Sequence, residues 1–262
     1  QRSVMAIQVP SFGVIAEEAI GAFLGALDDK IAANSRSVVS AKKLAISIAE
    51  KCEAIVPVAE IATRVATSLN PKKIELQEGM HYSIPAFDQG YVSVELSDSI
   101  KSSKFKLDRP CVLVSKLNPQ TPRVWSVPII EKDVYSLAST EFIVLEPVGC
   151  NLGQLFAAVY QDSLFVELQS QASGTSNSHQ RVKPDDLLSA LVPDVRRLST
   201  DEVSLLDGLN LLAYKLKREN QALAKTRDEL LPLLMSGKIT VREAEEAAAE
   251  VGVETRGEEG NV

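Results

Sequence analysis

The side chains best suited to chemistry gather in residues 99–125, which read SIKSSKFKLDRPCVLVSKLNPQTPRVW. Six Lys and Arg residues accompany a single acidic residue, Asp108. Ammonium and guanidinium groups beside amides and hydroxyls can position phosphates and hydrogen-bond to base edges. The candidate DNA contacts, including one later in the chain, are Lys101, Lys104, Lys116, Asn118, Gln120, Arg123 and Arg181. A solvated basic face around a β-hairpin, with Trp125 in the core, explains the same composition.

No set of residues predicts catalysis. The sequence has no Walker A loop, no GxGxxG after a strand, no Ser/His/Asp or Cys/His set and no methyltransferase motif. Only two histidines are present, and Cys52, Cys111 and Cys150 lie far apart. This usage predicts no metal site and favours reduced thiols in a cytoplasm. No apolar run approaches the roughly 18–20 residues that a membrane span requires.

Charge is distributed unevenly along the chain. The net charge of −7 includes a tail from Lys238 onward with seven acidic and three basic residues. Residues 53–198 hold seventeen acidic and fourteen basic residues, so the middle is close to neutral. Because local clustering decides the field at a surface, a basic face remains compatible with this composition.

Two heptad patterns flank residues 53–198, one on each side in sequence. Residues 15–52 and 199–236 each predict a long helix, the second beginning at a capping box of Ser199 and Glu202. The predicted seam consists of Leu24, Leu27, Ile31, Asn34, Leu205, Leu209, Leu212, Leu216 and Leu223. Asn34 is expected to set the register at a cost in stability, so Asn34→Leu is expected to raise the melting temperature.

The two helical patterns also indicate an internal repeat. A shift of 185 positions lays Leu24 on Leu209 and Ile31 on Leu216. Val9-Pro10 precedes the first pattern much as Val192-Pro193 precedes the second. Sliding any two heptad helices into register would give the same superposition.

The middle, residues 53–198, predicts one α+β domain. Short β-rich runs at Tyr91–Leu96, Cys111–Ser115, Val124–Ile130 and Phe142–Leu145 are separated by Pro, Gly and Asn. Short helices are expected at Leu152–Gln161 and Asp185–Ala190, and a loop at Gly174–Ser178. Residues 237–262 predict a short helix and an acidic, disordered tail.

Five segments resemble type I restriction–modification specificity subunits. IKSSKFKLDRPCVLVSKLNPQTPRVW, LASTEFIVLEP and GTSNSHQRVKPDDLLSALVP look like parts of a target-recognition domain. AFLGALDDKIAANSR and LAKTRDELLPLLMSGKITV resemble the family's central and C-terminal conserved helices. The resemblance implies an α+β recognition domain flanked by two long helices that pack as an antiparallel coiled coil. Residues 1–14 would then be the remnant of a preceding recognition domain, and the chain the C-terminal half of a subunit.

The resemblance also implies a function and partners. The chain would be a non-catalytic subunit that reads one part of a bipartite target in double-stranded DNA and docks modification subunits. Those subunits would carry S-adenosylmethionine, and a restriction subunit would use ATP, so no cofactor is expected in this chain. A second specificity chain is a candidate partner, with pairing of the two long helices within one chain as the alternative. No membrane partner is expected. The alternatives are a coiled-coil scaffold whose middle domain binds protein, and a stand-alone enzyme, for which no active site is found.

Overall fold

The computed structural model describes residues 13–75, 77–172 and 180–250. The expected loop at Gly174–Ser178, the Val9-Pro10 pair and the expected disordered tail all lie outside the described residues. The helices are α1 (Val14–Ala49), α2 (Val58–Ile61), α3 (Ile84–Gln89), α4 (Leu152–Val159), α5 (Asp162–Gln171), α6 (Pro184–Ser189), α7 (Thr200–Met235) and α8 (Val241–Glu250).

Short strands occupy the region between the long helices. They are β1 (Ile55–Pro57), β2 (Ala62–Val65), β3 (Ser68–Leu69), β4 (Glu78–Tyr82), β5 (Ser93–Leu96), β6 (Lys104–Lys106), β7 (Cys111–Ser115), β8 (Val124–Val127), β9 (Tyr135–Ala138), β10 (Phe142–Pro147) and β11 (Leu191–Pro193). The predicted α+β class, with a long helix on each side of a mixed domain, is confirmed. The chain divides into two compact units, one spanning Val38–Lys215 and the other formed by residues up to Ser37 with those from Leu216 onward.

The second of these units is an antiparallel helix pair. Nη1 of Arg227 donates to Oδ1 of Asp28 at 2.5 Å, and Nδ2 of Asn34 donates to Oε2 of Glu219 at 2.8 Å. Because rising numbers on α1 meet falling numbers on α7, the two helices run in opposite directions. Their shared core also takes in α8 and consists of Ile20, Phe23, Leu27, Leu223, Leu230, Leu234, Ala244 and Ala248.

Part of the predicted seam is wrong. Leu24, Leu27, Ile31 and Leu223 belong to the apolar contact between α1 and α7. Leu205 and Leu212, however, are each 45% exposed, whereas Leu206 is fully buried. A straight α-helix has 3.6 residues per turn, so its buried stripe drifts away from a strict seven-residue spacing. At the start of α7 this places Leu206 and Asn210 on the inner face.

The Val38–Lys215 unit contains two main sheets, with strand orders β2-β10-β7-β8 and β3-β6-β9-β4-β5. β7 lies between β10 and β8, antiparallel to both, and is buried throughout. Successive side chains of a strand point to opposite faces. Val112 and Val114 therefore enter one core, with α4 and α5, while Cys111 and Leu113 enter another, with Trp125 and Tyr82.

A two-stranded ribbon marks where the chain enters and leaves this domain. β1 and β11 pair antiparallel, with Val56 opposite Val192 and Pro57 opposite Leu191. Both central valines pack against the larger core. The Val-Pro pair that precedes the second long helix is thus matched by a Val-Pro pair on the incoming strand. In the described part of the chain, no helix has the length and apolar character needed to cross a membrane.

Candidate nucleic-acid interface

Two distant segments meet in a short backbone crossing. The Asn118 N–H donates to the Gln180 carbonyl at 3.0 Å, and the Val182 N–H donates to the Lys116 carbonyl at 2.8 Å. A single β-bridge joins Leu117 to Arg181 between these bonds. Residues 116–118 and 180–182, together with Arg64, Thr140 and Glu141 near them, are called the crossing below. It brings together Lys116, Asn118 and Arg181, three of the seven predicted DNA contacts.

β7 leads directly into the crossing, and a tight turn follows at residues 118–121. The Thr121 N–H donates to the Asn118 carbonyl at 2.9 Å, which closes a four-residue turn with Pro119 in its second position. Asn118 has a φ of 48°, in the left-handed region that asparagine tolerates better than most residues. Gln120 lies exposed at the tip of this turn.

The fold holds Lys116 at the crossing through both its backbone and its side chain. Its backbone N–H donates to the Glu141 carbonyl at 2.8 Å, and its Nζ donates to the Thr140 carbonyl at 2.6 Å. Nζ also lies 5.6 Å from the centre of the Phe105 ring. Burial lowers the pKa of Lys116, Arg64 and Arg181 lower it further by repulsion, and Glu141 opposes the shift. Three cations therefore share one neighbourhood with a single carboxylate.

Arg181 is more exposed than Lys116. Nη2 of its guanidinium lies 3.2 Å from Oε1 of Glu141, and 59% of its side chain is exposed. An exposed ion pair contributes little to stability, so either partner can be drawn away by a ligand at small cost. Arg64, on β2, is also exposed. The crossing thus offers two solvent-facing guanidinium groups.

The crossing also holds acceptors without donors. Among the described residues, Oδ1 of Asn118, Oε1 of Gln180 and Oε2 of Glu141 are buried oxygens with no hydrogen-bond partner. Buried polar atoms are nearly always paired in folded proteins, so each exception requires an explanation. The three oxygens belong to segments that meet at the crossing, where a ligand that reached them would supply the missing hydrogen bonds.

Two of the other predicted contacts, Lys104 and Arg123, are engaged by partners within the chain. Lys104 is 8% exposed, and its Nζ donates to the carbonyl and hydroxyl oxygens of Ser102 at 3.0 and 2.6 Å. Burial lowers its pKa, and Glu95 opposes that shift. Arg123 holds Asp88 through two hydrogen bonds of 2.6 and 3.0 Å, and only 15% of its side chain is exposed. The Lys101 side chain is exposed.

Trp125 lies in the core and not on a stacking surface. It is 6% exposed and packs edge-on against Tyr82 and Phe87, with ring centres 5.0 and 5.4 Å away. The sequence-based expectation of a core tryptophan is confirmed. Any base stacking in this domain must therefore come from other residues.

Sequence reasoning missed Arg64, Glu141 and Gln180 as members of the site. Arg64 is an outward-facing residue of β2, and Glu141 stands just before β10. Strand alternation marks neither of them, because Ala62, two residues before Arg64 on β2, is buried, and Glu141 is half-buried outside a strand. Their convergence on Lys116 depends on strand pairing that no local pattern reveals. No group of three or more His, Cys, Asp or Glu able to hold a metal ion occurs in the described ranges.

Comparison with known proteins gives a likeness of fold. No protein-family model matches this sequence, and no curated protein sequence does. Among solved structures, the chain is similar to a type I restriction–modification system S subunit from M. genitalium, with a TM-score of 0.51 and 13% identity. The match covers 85% of this chain and 61% of that one. Over that span, this chain is similar in fold to a type I restriction–modification S subunit.

Proposed function

We propose that this chain is the DNA sequence-recognition subunit of a type I restriction–modification complex. It reads one part of a bipartite target through residues 53–198 and performs no catalysis itself. The adenine-modifying chemistry, with S-adenosylmethionine, belongs to modification subunits, and ATP-driven cleavage belongs to a restriction subunit. This chain corresponds to the central conserved helix, second recognition domain and C-terminal conserved helix of that family.

The observation that carries the proposal is the crossing. Lys116, Asn118 and Arg181 were selected from residue chemistry alone, and they lie together with Arg64 in the folded chain. Cations for phosphates beside amides for base edges are the combination that specific DNA recognition requires. The net charge of −7 does not oppose this, because the crossing itself has three cations and one carboxylate.

Docking of modification subunits is supported by a second surface. Leu205 and Leu212 are seven residues apart, on one face of α7, and each is 45% exposed. A heptad pair of leucines facing solvent is suited to receive a helix of another chain. We expect Leu205→Gln with Leu212→Gln to weaken co-purification of a modification subunit while leaving DNA binding by this chain unchanged.

The DNA-binding part is tested by titration at several salt concentrations. The full chain is mixed with a fluorescent pool of random duplexes, and affinity is measured by anisotropy. Arg181→Ala and Lys116→Ala should each lower the affinity and reduce the slope of log K against log salt by about one unit. Lys225→Ala, an exposed lysine of α7 with a single partner at 3.8 Å, serves as the matched control.

Two results would count against the proposal. Titration curves of the crossing variants that superpose on the wild-type curve at every salt concentration would remove the crossing from the DNA interface. A wild-type chain that binds no duplex, alone or with its modification subunit, would instead favour the protein-binding scaffold. Thermal melting of each variant establishes that the fold is retained.

A further inference from the structure

The three unpaired acceptors of the crossing suggest how bases are read there. The oxygens belong to Asn118, Gln180 and Glu141, and Gln180 is 62 residues from Asn118 and 39 residues from Glu141 along the chain. Backbone hydrogen bonds of 2.8 to 3.0 Å hold their segments against Lys116 and against each other. The fold therefore fixes the backbone segments that carry the three acceptors.

The ligand that satisfies them must present hydrogen-bond donors. In the major groove of DNA, the donors are the exocyclic amino groups, N6 of adenine and N4 of cytosine. Phosphates and the O6 and N7 atoms of guanine are acceptors, so a carboxylate repels them. Asn and Gln amides can pair with adenine through both N6 and N7, and a Glu carboxylate can accept from cytosine N4. An acceptor-rich site thus selects amino groups.

The cations around the acceptors have a different task. Arg181 lies over Oε1 of Glu141 at 3.2 Å and is 59% exposed, so it covers the carboxylate when no DNA is bound. A backbone phosphate can draw the guanidinium away as a stronger bidentate partner. Oε1 of Glu141 then becomes free beside Oε2, which has no partner among the described residues.

Resting on the proposed function, we propose that the crossing reads an exocyclic amino group in the major groove. Glu141, with the Asn118 and Gln180 amides, accepts hydrogen bonds from adenine N6 or cytosine N4. Arg181 leaves Glu141 for a neighbouring phosphate and contributes affinity without sequence information. Specificity and affinity at this site are therefore carried by different residues of one ion pair.

The experiment separates those two contributions. Duplexes with a randomised region are selected on the full chain, with its modification subunit present, and the bound sequences are read. Glu141→Gln should relax or change the preferred base at one position and leave the salt slope within experimental error. Gln180→Ala should affect the same position or the adjacent one. Arg181→Ala should keep every base preference and lower the salt slope by about one unit.

Glu146→Gln supplies the matched control, because it makes the same charge change on β10, the strand that directly follows Glu141, and lies outside the crossing. If Glu141→Gln and Gln180→Ala both select the wild-type sequence at every position, the inference is overturned while DNA recognition stands. If the wild-type chain selects no sequence at all, the proposed function fails first. Should Glu141→Gln melt early, the Gln180→Ala selection decides the matter alone.

Discussion

At the scale of single residues, the packing of Tyr135 against Gly79 leaves no room for a side chain at position 79. A Cβ built on Gly79 would lie 2.2 Å from Cε2 of Tyr135, so the aromatic ring rests directly on the glycine backbone. The Tyr135 hydroxyl donates to the Glu95 carbonyl, which holds the ring in that position. This glycine therefore acts through close packing in the sheet where β4 lies beside β9.

Replacing Gly79 by alanine should destabilise the domain. The ring of Tyr135 must move and lose its hydrogen bond, which we expect to cost about 1–3 kcal/mol of unfolding free energy. Gly21→Ala is the matched control, because a Cβ there meets nothing within 4 Å and Gly21 lies inside α1. That change should stabilise the chain by about 0.5–1 kcal/mol. Equal melting temperatures for the two variants would contradict the packing argument.

Lys42 gives a residue-scale prediction with a defined pH dependence. Its Nζ lies 5.3 Å from the centre of the Tyr160 ring, and burial lowers its pKa from the usual 10.5. A lysine whose folded pKa is lowered costs stability while it is charged, and stability returns as pH rises from the folded pKa towards 10.5. Lys42→Met keeps the apolar stem and removes that cost.

We therefore expect Lys42→Met to raise the melting temperature at pH 7, by about 2–4 °C if the gain is about 1 kcal/mol. The advantage over the wild type should shrink as pH rises towards 10.5. Lys43→Met, at the exposed neighbouring position, should change little. A lower melting temperature for Lys42→Met at pH 7 would show that the cation–ring attraction outweighs desolvation.

At the scale of elements, the helix pair reverses one expectation from the sequence. Asn34 is 6% exposed and donates to Oε2 of Glu219 at 2.8 Å, while Nζ of Lys30 lies 3.5 Å from Oε1. The heptad pattern shows a polar residue in an apolar seam, so it predicts a gain from Asn34→Leu. The contact shows a hydrogen bond to a carboxylate that the substitution would abolish.

Asn34→Leu should now lower the unfolding free energy by about 1–2 kcal/mol, because the Glu219 carboxylate loses a donor in a half-buried site. Replacing both partners, Asn34→Leu with Glu219→Leu, should recover most of that loss, since apolar groups then face each other. A double-mutant cycle by denaturant unfolding measures the coupling. No coupling between the two sites would mean that the hydrogen bond contributes nothing.

The elements also show how far sequence patterns reach. The long helices, the capping box at Ser199 and the strand Cys111–Ser115 follow from local periodicity and are confirmed. β4 and β9 were not predicted, because they pair in parallel across distant segments and β4 contains a glycine and a histidine. The crossing was missed as a site for the same reason: Lys116, Glu141 and Arg181 meet only through tertiary pairing.

At the scale of the whole molecule, the two compact units differ in the size and number of their apolar cores. The helical unit has one core shared by three helices. The Val38–Lys215 unit has two cores, with β7 and β10 buried between neighbouring strands. Local opening is cheaper where fewer apolar contacts must break. The helical unit should therefore be the less protected part of the chain.

Native-state hydrogen exchange followed by mass spectrometry checks this order. Peptides from residues 20–31 and 223–234 should exchange before peptides covering β7 and β10. The difference should shrink as denaturant is added, because the opening that exposes more surface responds more steeply to denaturant. Peptides from α5, a short helix of the larger unit with an exposed Val166, calibrate the behaviour of a surface helix. Slower exchange in 20–31 than in β7 would contradict the expected order.

The polar contact between the helices has one more consequence. Asn34 meets Glu219, and Nδ2 of Asn220 donates to Oγ of Ser35 at 3.1 Å, both at a separation of 185 residues. The two heptad patterns superpose at the same separation of 185 residues. In an antiparallel pair, residues separated by a fixed number can face each other at only one position along the helices. At this position, residues 34 and 35 of α1 face the residues of α7 that the superposition aligns with them. Two copies of α7 meeting at that level would set Glu219 against Glu219, whereas α1 offers it an amide. The Glu219 charge thus makes α1, and not a second copy of α7, the preferred packing partner of α7.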